Sequence, residues 1–346
     1  MPDVFLRLPD DGRLEILEAA ERQTLRAAHL LEKDVWVVWT LQALFASPFA
    51  DGLAFKGGTS LSKAYAAIER FSEDVDLTYD IRKLVPDEEN AGNPPDLTRS
   101  KANRLSKRIR DDLLPQLLAT EVAPYLIQCL KADKLSATVS QEGSDLLIAY
   151  DPVTTPPAYL KPRVKLEFGA RATGEPSEAR LVTCYAAEVF PDLVFPSASP
   201  RVMRAERTFW EKATAMHVFS RQGRFRGDGV GFARHWHDLV RLDDIGVAAE
   251  SIADHGLAVM VADHKSKFFP EKDADGIEID YHAAVSGELQ LVAEGEAYDV
   301  LAADYAQMVD AGLLTGEIES FEALMARCLD LQTRINAAAQ LHASPA

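Results

Sequence analysis

Hydrophobic and polar residues follow three spacings along the chain, and each spacing predicts a different kind of element. Residues 10–47 place apolar side chains three and four positions apart, which is the spacing of one helical face. Residues 135–195 alternate apolar and polar side chains, with turn residues between the runs, which predicts β-strands. From about residue 200 onward the helical spacing returns. We therefore expect a helical start, a mixed centre and a helical end.

The mixed centre begins with the segment 54–78, AFKGGTSLSKAYAAIERFSEDVDLT. It contains a short strand pattern, a glycine pair, a helix pattern over SLSKAYAAIER and a second strand pattern over VDLTYD. A loop rich in Pro, Asn, Gly and acidic residues follows at 84–98, and a further helix is predicted at 99–119. The patterns predict an α+β protein with three parts. The parts are a helical N-terminal segment (1–49), a core (50–196) and a helical C-terminal domain (197–346).

Two aspartates lie two positions apart in the second strand pattern. Because strand side chains alternate between faces, Asp74 and Asp76 are expected to project from one face, while Val75 and Leu77 face a core. Two neighbouring carboxylates repel each other unless a cation lies between them. Mg²⁺ commonly binds one or two carboxylates together with substrate phosphates. The pair therefore indicates a metal site, and an exposed acidic pair on an edge strand is the plain alternative.

The glycine pair at the other end of the segment indicates a phosphate site. Gly57 and Gly58 let the backbone approach a ligand closely, and Thr59 and Ser60 begin a helix whose N-terminus attracts phosphate. The turn is not a Walker A loop, because Lys56 precedes the glycines and no Gly-Lys-Ser/Thr follows. Either half alone is more often a plain turn or a plain surface pair. Both halves on one strand–helix–strand unit indicate a nucleoside triphosphate held by backbone amides and Mg²⁺.

KGGTSLSKAY followed by RFSEDVDL resembles motif I of the polymerase-β-type nucleotidyltransferase superfamily. More narrowly, it resembles the AbiEii/AbiGii toxin family, the nucleotidyltransferase half of type IV toxin–antitoxin systems. In that family a Gly-Gly-Ser/Thr turn precedes a helix and an Arg-x-Ser-x-Asp-hydrophobic-Asp-Leu segment. The resemblance implies a polymerase-β-like core with a mixed sheet. The nucleotide-binding residues that we predict for this core are Lys56, Gly57, Gly58, Thr59, Ser60, Lys63, Arg70 and Ser72.

Five further stretches resemble later segments of the same family. The resemblance implies that Glu167 is a third carboxylate, in place of the family's aspartate, and that it binds metal or acts as a base. It implies that Lys212 neutralises phosphate and that Asp238 orients Lys212 or the base. The stretches are EKDVWVVWTLQAL (32–44), VKLEFGAR (164–171), ERTFWEKATAM (206–216), RHWHDL (234–239) and ADYAQMV (303–309).

The residues around these positions support the implied roles on physical grounds. Glu167 shares a strand face with Lys165 and lies between apolar neighbours, where a carboxylate can bind metal or accept a proton. Lys212 borders an apolar helical stripe, from which its amine can reach a cleft. The alternative for Glu167 is an ordinary charged strand face, and for Lys212 it is an i,i+4 pair such as with Thr208 or a solvated tip. His235 and His237 suggest a zinc pair, but residues two apart on a helix do not face one another, so we predict no zinc site.

The net charge of −17 limits how this protein can contact nucleic acid. A uniformly acidic surface repels phosphate backbones, so binding requires a local basic patch. The run SRQGRFRGDGVGFARH (220–235) is one such patch, and the predicted helix at 99–110 is a second. For each, the alternative is a solvated charged face. The acceptor-binding residues that we predict in the first patch are Arg221, Arg224, Arg226 and Arg234.

The resemblance implies a reaction as well as a fold. A nucleoside monophosphate would pass from an NTP to an acceptor, with Mg²⁺ as cofactor and pyrophosphate as product. The implied acceptor is tRNA, the outcome is growth arrest or aborted phage infection, and the partner is a cognate AbiEi-like antitoxin that acts with or without a stable complex. Two other functions stay open: nucleotidyl or phosphoryl transfer to a protein or small molecule, and a catalytically silent interaction module.

The rest of the composition predicts a cytoplasmic protein without membrane contact. No stretch approaches the ~20 apolar residues that a membrane span needs, and the N-terminus lacks a secretory signal pattern. Cys129, Cys184 and Cys328 have neither a metal-binding spacing nor a disulfide pattern. Isolated thiols of this kind are usual in a reducing compartment.

Overall fold

The structure is a computed structural model, and its described residues form two compact units. The first unit is drawn from 1–64, 72–88 and 107–203, and the second from 65–71, 89–106 and 204–346. The predicted fold class is confirmed, because a mixed sheet lies in the first unit and the C-terminal part is helical. The three-part boundaries stay a prediction. The described residues are 3–70, 74–88, 96–156, 161–223, 225, 231–314 and 318–343.

Seven strands of the first unit form one mixed sheet in the order β3-β4-β5-β2-β1-β9-β6, and β7 pairs with β8 in a small second sheet. The central strand β2 runs parallel to β5 on one side and antiparallel to β1 on the other. This arrangement places the two strands of the glycine–aspartate segment side by side. The strands are β1 (Leu53–Lys56), β2 (Asp74–Tyr79), β3 (Ala137–Glu142), β4 (Asp145–Tyr150), β5 (Arg163–Gly169), β6 (Ser177–Ala179), β7 (Val182–Thr183), β8 (Ser197–Ala198) and β9 (Arg201–Met203).

One face of this sheet forms the core of the first unit. Val75 and Leu77 are fully buried on that face, as the alternation in VDLTYD predicts. Helix α2 (Ala28–Phe45) packs over β5, and its Trp36 ring stacks on Tyr150 of β4 with a centroid distance of 4.8 Å. Trp36 and Trp39 are each 3% exposed, so both rings belong to this core. Because this face is closed by packing, only the opposite face of the sheet can present Asp74 and Asp76.

Helix α2 also buries charged side chains, which anchor it to two loops. Glu32 accepts hydrogen bonds from the amides of Val153 (2.7 Å) and Thr154 (3.1 Å). Asp34 accepts one from the amide of Tyr185 at 2.8 Å. These bonds satisfy carboxylates that would otherwise be costly to bury, so the acidic residues of EKDVWVVW serve packing.

Two helices have different bounds in the structure from those predicted. The run at 10–47 forms two helices, because Leu25 adopts a left-handed conformation (φ 57°) that ends the first. The helix predicted over SLSKAYAAIER is wrong beyond Lys63, since Ala66 also has a positive φ of 50°. The helices up to residue 133 are α1 (Asp10–Thr24), α2, α3 (Gly57–Lys63), α4 (Ile81–Leu84), α5 (Arg99–Arg108), α6 (Leu114–Leu117) and α7 (Ala123–Asp133).

Helices α5, α6 and α7 join through π-helical turns into one helical stretch, Arg99–Asp133. Among the described residues, this stretch is the one helix whose length and composition would allow it to cross a membrane. One helix of this kind does not indicate a membrane span, because core helices of soluble proteins often have the same length and composition.

The second unit is built mainly from C-terminal helices. Asp304 is buried and accepts hydrogen bonds from the amides of Gly231 and Ala233, each at 2.6 Å, which fixes the N-terminus of α9. The Trp236 indole of α9 donates to the carbonyl of Leu291 at 2.7 Å. These contacts hold the helix that carries Asp238. The helices are α8 (Ala205–Gln222), α9 (Ala233–Asp244), α10 (Val247–Ala253), α11 (His255–Phe268), α12 (Tyr281–Ala283), α13 (Glu296–Asp310) and α14 (Phe321–Ala343).

Candidate active site

Charged side chains form a row across four strands on the open face of the first unit's sheet. Asp145 on β4 lies opposite Glu167 on β5, Glu167 lies opposite Asp76 on β2, and Asp76 lies opposite Lys56 on β1. Directly opposed residues of neighbouring strands point to the same face, with strands about 4.8 Å apart. The sheet register therefore puts the predicted third carboxylate beside the predicted metal ligands.

The glycine turn contacts the second aspartate of the pair directly. Gly57 has φ +74°, a conformation that residues with a side chain rarely adopt. A Cβ atom on Gly57 would lie 2.6 Å from Cγ of Asp76 and would overlap its Oδ2 atom. The Asp76 carboxylate thus fills the space that the missing side chain leaves. The turn and the carboxylate can consequently face one ligand, which is the geometry that a phosphate–metal site requires.

The residues after Gly57 bond to the protein through their side chains. The Thr59 hydroxyl donates to the carbonyl of Asp74, and the Ser60 hydroxyl donates to the carbonyl of Gly57 at 2.8 Å. Both residues are buried. Their hydroxyl protons therefore hold α3 against β2 and close the turn, and a phosphate contact from them would have to use the backbone amides. Such a contact stays a prediction for Thr59 and Ser60, as it does for Gly58.

Lys63 lies in a buried ion pair. Its ammonium group is 2.6 Å from Oδ1 of Asp34 and 3.4 Å from the centroid of the Tyr185 ring. Both side chains of the pair are almost fully buried, at 4% and 3% exposure. Lys63 would have to leave Asp34 before it could bind a nucleotide, so in this structure it joins α3 to α2.

Two residues that the sequence reasoning did not assign to the site lie beside Glu167. The Lys165 ammonium donates to Oε1 of Glu167 and lies 3.2 Å from Oδ2 of Asp145. Partial burial opposes the charge, but the hydrogen bonds with Glu167 and Asp145 raise the pKa of Lys165 above its ordinary range. Asp145 could not be found from the sequence, because its place depends on how β4 aligns with β5.

The donor set fits a divalent metal that arrives with a nucleotide. Asp74 and Asp76 offer hard oxygen ligands, and Mg²⁺ needs only one or two carboxylates when phosphates supply the rest. Among the residues that the structure describes, no group of three or more His, Cys, Asp or Glu side chains is arranged to hold a metal. Glu167 bonds to Lys165 instead. The residues would thus hold a metal through Asp74 and Asp76, and Glu167 as a third ligand stays a prediction.

A second charged cluster lies inside the second unit, around Asp238. The Asp238 carboxylate has no exposed surface and receives two hydrogen bonds of 2.7 Å from the Arg70 guanidinium. The Lys212 ammonium lies 2.9 Å from Oδ2, the oxygen that also accepts one of the Arg70 hydrogen bonds. The Nδ1 atom of His235 is 3.5 Å from the Lys212 nitrogen. Asp238 therefore contacts both Arg70 and Lys212. The orienting role of Asp238, the phosphate contact of Lys212 and the nucleotide contact of Arg70 stay predictions.

Burial and neighbouring charges shift the pKa values of this cluster. Burial opposes ionisation of Asp238, but the positive charges of Arg70 and Lys212 hold its pKa well below the ordinary value. Burial lowers the pKa of Lys212, although its contact with Asp238 opposes that shift. Burial and the nearby Lys212 and Arg234 lower the pKa of His235 well below its usual range, so its imidazole is neutral at pH 7. A phosphate anion beside Lys212 would favour the charged form of its amine.

Two of the four predicted acceptor-binding arginines, Arg221 and Arg234, lie among the described residues. Arg221 lies 3.2 Å from Oδ2 of Asp273, so its charge is shared with an acidic neighbour. Arg234 is exposed on α9. Arg224, Arg226 and the predicted nucleotide contact Ser72 lie outside the described residues.

Replacing Gly57 with alanine is expected to lower nucleotidyl transfer, the activity that the family resemblance implies, by at least about 100-fold. The reason is that the new methyl group displaces the Asp76 carboxylate. The matched control is Gly143→Ala, since Gly143 also has a positive φ (61°) but nothing lies within 4 Å of its Cβ position. Both variants should lose about 1 kcal/mol of stability from backbone strain. Initial rates and thermal unfolding separate the two effects, and equal activity losses would show that strain alone matters.

Comparisons with known proteins were made for the whole chain. The model of one protein family, described as "Nucleotidyl transferase AbiEii toxin, Type IV TA system", matches residues 39–327. No curated protein sequence matches the chain. Among solved structures, MenT4, a nucleotidyltransferase toxin from Mycobacterium tuberculosis, is similar at 17% identity and a TM-score of 0.43, covering 94% of each chain. JHP933 from Helicobacter pylori is similar at 15% identity and a TM-score of 0.41, covering 91% of this chain and 94% of that one.

Proposed function

Because the chain belongs to the AbiEii family of nucleotidyl transferase toxins of type IV toxin–antitoxin systems, we propose that it transfers a nucleoside monophosphate from an NTP to tRNA. The contact between Gly57 and the Asp76 carboxylate carries the proposal, since it lets one ligand meet backbone amides and a metal-binding carboxylate together. The outcome would be growth arrest or aborted phage infection in the cytoplasm. An AbiEi-like antitoxin would be the neutralising partner.

The proposed reaction is a single displacement at phosphorus. The acceptor hydroxyl oxygen bonds to the α-phosphorus, the bond from that phosphorus to the α–β bridging oxygen breaks, and pyrophosphate leaves with that bond's electrons. The hydroxyl proton passes to Glu167 acting as base. Asp74 and Asp76 would hold Mg²⁺, which when bound neutralises phosphate charge. The turn at Gly57 would orient the triphosphate.

In this proposal the cluster of the second unit supplies fixed positive charge. Lys212 would neutralise phosphate, and Asp238 keeps its amine in one place through the 2.9 Å ion pair. Because the ion pair already holds the Lys212 amine in position, the amine needs little movement when charge develops on the phosphate. His235, being neutral, can accept a hydrogen bond from Lys212 and add to the same restraint.

The most direct test is labelling. The protein is incubated with each α-labelled NTP, Mg²⁺ and total RNA, and the labelled product is identified by size and nuclease digestion. We expect label in the tRNA fraction, and none with Asp76→Asn. Label in protein or in small molecules would replace tRNA as the acceptor. The absence of label with every NTP would favour a catalytically silent interaction module.

The basic helix α5 is the better described of the two candidate surfaces for the acceptor backbone. Arg104, Lys107 and Arg108 are exposed on it, and no acidic residue occurs from 97 to 110. Arg99 pairs with Glu278 and Arg110 with Asp111, so part of the charge is already neutralised. Arg104 and Arg108 lie one helical turn apart, where they can contact neighbouring phosphates.

Replacing Arg104 and Arg108 with glutamine is expected to weaken tRNA labelling about tenfold and to reduce the slope of log rate against log salt by about 1.5 to 2. NTP binding should be unchanged. The double variant Lys131→Gln with Lys134→Gln removes the same charge from exposed positions near the end of α7 and serves as the control. If both double variants behave alike, α5 does not contact the acceptor.

A further inference from the structure

Lys165 occupies an unusual place on the open face of the sheet. Its strand, β5, lies between β2 and β4, and its Cα is paired with that of Asp74. Its ammonium group bonds to Glu167 on its own strand and lies 3.2 Å from Asp145 on β4. The three side chains are only partly exposed, at 31%, 39% and 30%. A positive charge is thus built into the surface where divalent metal binding is proposed.

Lys165 has a different neighbour on each side of β5. It lies opposite the apolar Leu147 of β4 and opposite Asp74 of β2, so a cross-strand attraction to Asp74 accompanies its other contacts. Lys165 also pairs along its own strand with Glu167, which is the neighbour of Asp76 in the register. The lysine therefore engages the carboxylate that would otherwise be the nearest additional ligand for a metal on Asp76.

We propose that Lys165 is a positioning residue that competes with a divalent metal for the Glu167 carboxylate. With Glu167 held by Lys165, the metal has only Asp74 and Asp76 as protein ligands, and it is retained well only when a triphosphate adds its oxygens. The triphosphate also offers Lys165 another anion, which frees Glu167 when the substrate is present. This inference rests on the proposed function, because it requires a metal at Asp74 and Asp76.

The same competition explains why the described residues contain no ready three-ligand group. Two carboxylates bind a hydrated divalent ion weakly, and a third carboxylate strengthens binding substantially. Selective retention of the metal–nucleotide pair would follow from the sequence Lys-x-Glu on β5 with Asp-x-Asp on β2. No separate moving element is needed.

The test measures binding of Mn²⁺ alone, without nucleotide, from the electron paramagnetic resonance signal of the free ion. Lys165→Met should bind Mn²⁺ about tenfold more tightly than the wild-type protein, because it releases a carboxylate ligand. Lys165→Arg should restore weak binding. Loss of a positive charge near the metal also strengthens binding by itself, and the Glu167→Gln background measures that contribution separately. Lys131→Met, an exposed lysine on α7, controls for net charge and should have no effect.

The background Glu167→Gln isolates the competition. There the gain from Lys165→Met should be several-fold smaller than in the wild-type background, because only the effect of charge remains. A full gain in that background, or no gain in the single variant while circular dichroism shows a folded protein, would overturn the role of Lys165. If Lys165→Met does not fold, Lys165→Gln replaces it. Failure of both to fold would make Lys165 a structural residue and also overturn the inference.

The proposed function and this inference fail in different ways. If the wild-type protein and Asp76→Asn bound Mn²⁺ equally, Asp76 would not be a metal ligand, and the proposed metal site would be rejected. Weaker binding by Asp76→Asn, together with unchanged binding by Lys165→Met, would keep the metal site and reject only the competition.

Discussion

Replacing Asp76 with asparagine is expected to lower nucleotidyl transfer by about 10³-fold or more while the protein stays folded. Asparagine has nearly the same shape as aspartate, so it can keep the contact with Gly57. It removes the negative charge and one strong oxygen ligand, so the metal and the triphosphate lose their shared anchor. Rates of transfer from an α-labelled NTP measure the loss.

The stability of this variant should change little. Asp76 lies opposite Lys56 of β1 and opposite Glu167 of β5, so the substitution removes an attraction and a repulsion together. We therefore expect a thermal unfolding midpoint close to that of the wild-type protein.

The control for net charge is Asp51→Asn, which removes the same charge from an exposed turn. It should retain nearly full activity. If Asp76→Asn remains active, Asp76 does not hold a required metal, and the reading of the glycine turn as part of a catalytic site would have to be abandoned.

Sequence reasoning located the glycine turn and the aspartates because their signals are local. Gly57, Asp74 and Asp76 lie within one short segment, and strand alternation alone places the two carboxylates on one face. The contact between Gly57 and Asp76 needs only that β1 and β2 pair, which is the simplest arrangement for neighbouring strands. This part of the site could be predicted before any tertiary contact was known.

The parts that could not be predicted depend on contacts distant in sequence. Asp145 joins the site through the register of β4 on β5, and no pattern within either strand fixes that register. Lys63 is predicted from the sequence to bind nucleotide, and its buried ion pair with Asp34 of α2 could not be anticipated. Arg70 matches a nucleotide-binding position of the family, but its partner Asp238 lies 168 residues away.

Removing the Asp238 carboxylate by Asp238→Ala is expected to lower the free energy of unfolding by about 3–5 kcal/mol. Arg70 and Lys212 would then lose the carboxylate that they share, and their mutual repulsion would add to the cost of burial. The control is Asp330→Ala, because Asp330 also pairs with an arginine, Arg334, but is 69% exposed. Its loss should cost no more than about 0.5 kcal/mol. Urea unfolding of both variants gives the comparison.

Acid should reproduce part of the same effect in the wild-type protein. The pKa of Asp238 is held well below its unfolded value, so its stabilising contribution is fully present above the unfolded pKa of about 3.9. The contribution is lost as the pH falls through the lowered folded value. Below the unfolded pKa, the stability difference between the wild-type protein and Asp238→Ala should therefore narrow, and a difference that stays constant down to pH 2 would contradict the buried ion pair.

Lys212→Met separates the stabilising role of this cluster from its proposed role in catalysis. It removes one of two cations but leaves Asp238 with both hydrogen bonds from Arg70, so the loss of stability should be much smaller than in Asp238→Ala. Transfer activity should nevertheless fall by about 10²–10³-fold, because the positive charge that we propose to neutralise phosphate would be gone. A variant that loses stability but keeps its activity would show that Lys212 serves only to neutralise Asp238.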